Sequence, residues 1–179
     1  MRPDLVPGTT LPDFELPDQD GTPRRLSALQ GDDAMVLLLG RGEHCPRERQ
    51  HQRAMIEFHQ WCAVAYTQLV TVVPNDLHDI FKLRSTTGAA WTYLSDEALE
   101  LQSELDIREY TDTHHAATVP HTVILAPGLV IEKIYVGYWF WGRPSPYDLW
   151  SDLRDLNRRI QPDFDPTLPE ARAAWQAAQ

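Results

Sequence analysis

Cys45 is followed at once by Pro46, with Glu48 two residues further on, in the run Met35 to Glu48, MVLLLGRGEHCPRE. Proline at a helix's first position loses nothing, because the N–H it lacks has no partner there. The spacing therefore places Cys45 at the mouth of a helix. Free amides of the first turn favour the thiolate over the thiol and make the sulfur more nucleophilic at neutral pH. A lone cysteine is more often a small buried apolar residue, but Cys-Pro at a strand-to-helix turn favours the chemical reading. His44 adjoins the thiol, and His114, His115 and His121 gather near Pro120. His44 or His121 can hold a proton near the sulfur, or lie in solvent like other loop histidines. A Cys/His metal site can be drawn from the same residues. With no Cys-x-x-Cys and no close histidine pair on one helix, no metal site and no cofactor is expected. A Cys–His–Asp hydrolase can also be drawn, but the strand order does not favour it.

The elements that must hold this thiol follow from pattern. Met35 to Leu39 is continuously apolar, as a strand covered on both faces is, and Gly40 and Gly42 end it. A helix is expected from Cys45 to about Val64, with Ala54, Phe58, Trp61 and Cys62 on its inner face. Cys62 is read as structural. Along one helix the two cysteines lie roughly 25 Å apart at ~1.5 Å per residue, and a disulfide needs α-carbons within about 7 Å. Upstream, Asp13–Leu16 and Thr22–Leu26 form a hairpin about the turn Asp18–Gly21. Downstream come a strand at Gln68–Val73, a helix carrying Leu77, Ile80, Phe81 and Arg84, and a short strand at Trp91–Leu94. Ser95 is expected to cap the next helix. Thr111–Ala117 is a loop, His121–Leu125 and Val130–Val136 are hairpin partners, and Ser145 with Pro146 opens a last helix. The aromatic run Tyr138–Trp141 can line an apolar groove, form a contact between two copies, or fill the core. Alternation of strands and helices implies an α/β fold with a helix-covered mixed sheet.

Composition narrows the partners. The chain has 179 residues with 42% hydrophobic and 23% charged, enough for one domain with a real core. We read residues 1–160 as that domain and 161–179 as a Pro- and Ala-rich tail. A net charge of −10 argues against nucleic acid and anionic lipid. No stretch approaches a membrane span, the first residues lack a signal peptide's apolar core, and two cysteines make no disulfide framework. The expected location is a reducing cytoplasm.

Four segments resemble the peroxiredoxin group of redoxins, of the thioredoxin fold. They are Val6-Pro7-Gly8 through Pro17-Asp18 with Leu26–Leu29, then Cys45-Pro46-Arg47-Glu48, then Tyr93-Leu94-Ser95-Asp96 with Leu105-Asp106-Ile107, and Thr118–Leu125 with its Val-Pro-x-Thr. The likeness covers about residues 5–160. It implies a thioredoxin-like mixed sheet with helices on both faces and an N-terminal hairpin extension. It implies that Cys45 attacks a peroxide and that an external thiol or thioredoxin-like reductant restores it, the protein acting as a one-cysteine thiol oxidoreductase. Pro46 and Glu48 would shape the site, and Pro120 would face the thiol as a cis-proline. The family's proline and threonine before the thiol are replaced by Leu38 and Gly42, and its arginine has no counterpart on His121–Leu125. Arg41, Arg47 or Arg49 is expected to supply that charge. Two other readings stay open: a thioredoxin-fold binding or adaptor protein without turnover, and thiol–disulfide exchange with a partner protein.

Overall fold

The apolar run forms β3 (Ala34–Leu39), every residue of which is buried. In the computed structural model, which describes residues 1–137, 141–162 and 165–179, β3 lies at the centre of a five-stranded sheet. β4 (Thr67–Val73) runs parallel to it and β6 (His121–Ala126) antiparallel. β5 (Thr92–Ser95) extends the sheet beyond β4, and β7 (Val130–Val136) beyond β6, giving the order β5-β4-β3-β6-β7. Side chains of a strand alternate between faces. Met35, Leu37 and Leu39 accordingly join one core with Leu26 of α1 (Leu26–Gln30) and Leu101 of α4 (Glu100–Glu104). Val36 and Leu38 join the other, with α2 (Pro46–Val64), α3 (Leu77–Thr87) and α5 (Pro146–Ile160). The N-terminal hairpin of β1 (Glu15–Pro17) and β2 (Pro23–Arg25) leans on the β5 edge through an Asp18–Leu94 bridge. This is the thioredoxin-like mixed α/β architecture with a hairpin extension. No described helix is long and apolar enough to cross a membrane.

The helices differ from expectation in several details. On α2 the buried stripe is Glu48, Gln52, Met55, Phe58 and Cys62. Ala54 is exposed and Trp61 only half-buried, so the stripe is turned toward two polar residues at its N-terminal end. On α3, Ile80, Leu83 and Thr87 face inward, while Phe81 is 69% exposed. The helix also takes in Thr86 and Thr87 and stops at Gly88, whose φ of 83° suits glycine. Ser95 is the last residue of β5 rather than a cap. Instead Asp96 accepts hydrogen bonds from the Leu101 and Gln102 amides, at 3.0 Å each, and so closes the start of α4 from outside it. At α5 the expected cap is present as a reciprocal pair. Ser145 Oγ accepts from the Asp148 amide at 3.3 Å, and Asp148 Oδ2 accepts from the Ser145 amide at 2.8 Å. Beyond α5, α6 (Pro169–Ala177) buries none of its residues.

Candidate active site

Cys45 is the N-cap residue of α2, in extended backbone, with Pro46 following at the first helical position. Its amide donates to Gly42 O at 3.2 Å, which closes the turn from β3. The sulfur accepts no hydrogen bond from the first-turn amides, so the helix acts on it through its dipole alone. Cys45 is 5% exposed, yet hydrocarbon does not surround it. It lies in a cleft of about 820 Å³ whose wall includes Arg41, Arg47, Arg108, Pro120 and Arg143.

The arginines are held by carboxylates. Arg41 forms a two-pronged pair with Glu109, Nε to Oε2 at 2.6 Å and Nη2 to Oε1 at 3.0 Å, and Nη2 also reaches Asp112 Oδ2 at 3.1 Å. Its pKa is raised, first by Glu109 and, further down, by the adjacent Cys45 sulfur. Arg143 donates to Glu48 Oε2 at 3.0 Å. Glu48, 1% exposed, also accepts the Arg41 amide at 3.0 Å and Gln52 Nε2 at 2.6 Å. Burial works to raise the Glu48 pKa, but Arg143, then His51, Gln52 and the Arg41 amide outweigh it and hold it below its ordinary value. His51, one turn along, lies 3.2 Å from Pro144 O, so α2 grips the Arg143–Pro144 segment at two points. Gly40 makes this approach feasible, because a Cβ there would lie 2.8 Å from Glu48 Oε1 and 2.9 Å from Val73 Cγ1. Behind Glu48 a polar chain enters the core. Gln52 Oε1 accepts from Tyr93 Oη at 2.7 Å and from Thr71 Oγ1 at 3.5 Å, and Trp91 Nε1 donates to Thr71 Oγ1 at 2.9 Å.

The other expected residues lie as follows. Pro120 does face the cleft, but its peptide bond is trans like every described bond, correcting the cis expectation. The extended β6 backbone that it enters is compatible with the trans form. His121 is not part of the wall of the thiol cleft. It is 4% exposed with Nδ1 2.7 Å from Val119 O, and burial pushes its pKa down to about 4. Arg49 turns to Glu43, donating to its carbonyl at 3.1 Å. His44 is directed at the loop after Glu109. Its ring stacks on that of His115 with centroids 3.8 Å apart. Burial, then His115 and Arg41, lower its pKa. Cys62 is 2% exposed in the core and burial pushes its thiol up to about 12. Tyr138, Trp139 and Phe140 lie outside the described residues, and Trp141 is 84% exposed.

Arg143, Glu109 and Asp112 are the residues that sequence reasoning missed. Arg143 comes from the Gly-Arg-Pro stretch before α5, not from β6, so the charge absent from the strand arrives from the following loop. Glu109 and Asp112 are presented by a loop pinned at its base, where the Val119 amide bonds Ile107 O at 2.7 Å and the Glu109 amide bonds Ala117 O at 2.9 Å. The one available signal was the density of charge in that loop.

A thiol at the head of the helix that leaves the central strand, within this mixed sheet, defines a thioredoxin-fold redoxin. The chain matches the AhpC/TSA family over residues 7–134, and it belongs to that family. Two curated Mycobacterium tuberculosis sequences, provisionally named peroxiredoxins, are 67% identical over 30 residues. That match spans 17% of this chain and only 20% of each relative's length. Among solved structures, peroxidoxin BcpB of Mycobacterium tuberculosis superposes with a TM-score of 0.70 at 20% identity, over 86% of this chain and 97% of its own. A mutant of peroxiredoxin 6 of Arenicola marina gives 0.72 at 15%, over 89% and 76%. The yeast mitochondrial 1-Cys peroxiredoxin gives 0.72 at 14%, over 88% and 78%. At these identities the likeness is one of fold.

Proposed function

We propose that this protein is a one-cysteine thiol peroxidase. The observation that carries the reading is the placement of Cys45 at the N-cap of α2 beside Arg41, with Arg143 fixed on the same cleft by buried Glu48. The Cys45 thiolate attacks one peroxide oxygen, the O–O bond breaks, and the departing oxygen takes a proton to leave as water or an alcohol. Cysteine is oxidised to sulfenic acid and peroxide is reduced. The two guanidiniums supply positive charge and N–H donors where negative charge develops on the oxygens. Pro46 fixes the helix start, Glu48 positions Arg143 and the Arg41 backbone, and Pro120 walls the cleft. Cys62 cannot resolve the sulfenic acid, being buried well along the same helix. Two equivalents of an external thiol, or a thioredoxin-like dithiol, then return the sulfur to its reduced state, releasing water and a disulfide. Two free cysteines suit a reducing compartment such as the cytoplasm. A contact between two copies through the exposed surface at Trp141 completes the expected partners.

The test is stopped-flow consumption of hydrogen peroxide and of an organic hydroperoxide by the reduced protein. Cys45→Ser abolishes consumption and Cys62→Ala retains it. Equal consumption by Cys45→Ser and wild type would eliminate the reading.

A further inference from the structure

The loop after Glu109 brings a second set of chemistry-bearing side chains to the thiol's turn. His44, Asp112 and His115 each offer one ligand atom, and these atoms lie within 4.8 Å of one another. Asp112 Oδ2 is 3.6 Å from His44 Nε2 and 3.0 Å from His115 Nδ1. A tetrahedral ion bound at ~2.1 Å spaces its ligands by about 3.4 Å, so the carboxylate edges already bracket the required value. The carboxylate is also fixed in place, whereas the exposed His115 ring must turn out of its parallel stack on His44 to aim a nitrogen at the same point. Asp112 Oδ1 accepts the His114 and His115 amides at 3.0 and 3.1 Å, which fixes the carboxylate and leaves Oδ2 toward both rings. The His44 ring packs against Gly42, where a Cβ would come within 3.2 Å of Nδ1, so its orientation is set by a residue with no side chain. A second observation points to a ligand: His44 Nε2 is shut off from solvent and has no hydrogen-bond partner among the described residues. An unsatisfied buried nitrogen is unfavourable unless something binds there.

We infer that His44, Asp112 and His115 form a binding site for one divalent transition-metal ion, such as Zn²⁺. Two imidazoles and one carboxylate are the donor set that such borderline ions accept, and hard Mg²⁺ or Ca²⁺ prefer oxygen alone. The His115 side chain is 47% exposed, so the remaining coordination position opens to water. Asp112 Oδ2 is also the oxygen that Arg41 uses. An ion here ties the 109–117 loop to the turn that presents Cys45 and competes with Arg41 for that oxygen. Nothing in this site depends on peroxide chemistry.

The experiment is calorimetric titration of Cys45→Ser protein with Zn²⁺, which removes the cleft thiolate as a ligand, followed by visible absorption of the Co²⁺ form. One ion per chain is expected, with Co²⁺ bands of nitrogen and oxygen ligation. Added His115→Ala, an exposed position whose loss leaves the fold intact, weakens binding by at least about tenfold. Added His114→Ala leaves it unchanged. Absence of saturable one-to-one binding, or equal affinity with and without His115, overturns the site. Equal losses from His114→Ala and His115→Ala do the same.

Discussion

A carboxylate shut away from water keeps its charge only where cations and N–H donors replace the water it has lost. Glu48 has Arg143, Gln52 and the Arg41 amide in that place. Removing the charge while keeping the shape, as Glu48→Gln does, leaves Arg143 half-buried and unpaired. We expect a stability loss of about 3 kcal/mol by urea unfolding, and a peroxide rate at least about tenfold lower as Arg143 loses its anchor. His121 makes a prediction of opposite chemistry. Its pKa of about 4 in the fold lies below the ordinary 6.5, so between those values the unfolded chain binds more protons and stability rises with pH. Stability is complete above about pH 6.5 and falls on acidification toward pH 4, with about 2 kcal/mol lost by pH 5. Urea midpoints at pH 7 and pH 5 measure this loss, and His121→Asn removes its share. Cys62, with its thiol pushed up to about 12, should escape alkylation in the native protein at neutral pH. Thiol counts should therefore give one reactive group folded and two unfolded.

Elements carry the next level of argument. The start of α2 and the start of α5 were both readable from local chemistry, because proline at the first position and a Ser-x-x-Asp cap act within one turn. β3 was readable because an unbroken apolar run has few alternatives. The link between these elements was not. Glu48 and Gln52 look like solvated positions of a helix, and only distant partners, Arg143 before α5 for Glu48 and Tyr93 and Thr71 of the sheet for Gln52, make them the buried end of its stripe. The partner of Glu48 is 95 residues away in sequence, a pairing that no local pattern encodes. Asp96 capped α4 across five and six residues, beyond the reach of a cap rule built on the first turn. The inner face of α3 stayed open for a related reason: apolar content alone does not say which side of a short helix meets the sheet. Ser145→Ala removes the hydroxyl half of the α5 cap, leaves the bond from the residue-145 amide to Asp148, and should cost about 1 kcal/mol, read as a fall in melting temperature. Gly40→Ala must displace Glu48 or Val73, so it should lower peroxide rate and stability together, whereas Gly128→Ala, strained by a φ of 77° far from the cleft, should lower stability alone.

At the scale of the whole molecule, two cores share one sheet and α6 joins neither. α6 buries nothing, and we propose that residues 161–179 form a tail outside the folded domain. Deletion of that segment should shift the urea midpoint by less than about 0.5 kcal/mol equivalents and leave the peroxide rate unaltered. The fold thus concentrates its chemistry at one end of β3, where two helices and one loop converge. The polar chain running inward from that end also has an optical meaning. Among the described tryptophans only Trp91 is buried, and its indole N–H is bonded to Thr71 in contact with Gln52. It should therefore fluoresce at the blue edge of the emission envelope, and a rearrangement at Glu48 will be visible there as a colour change without any added label.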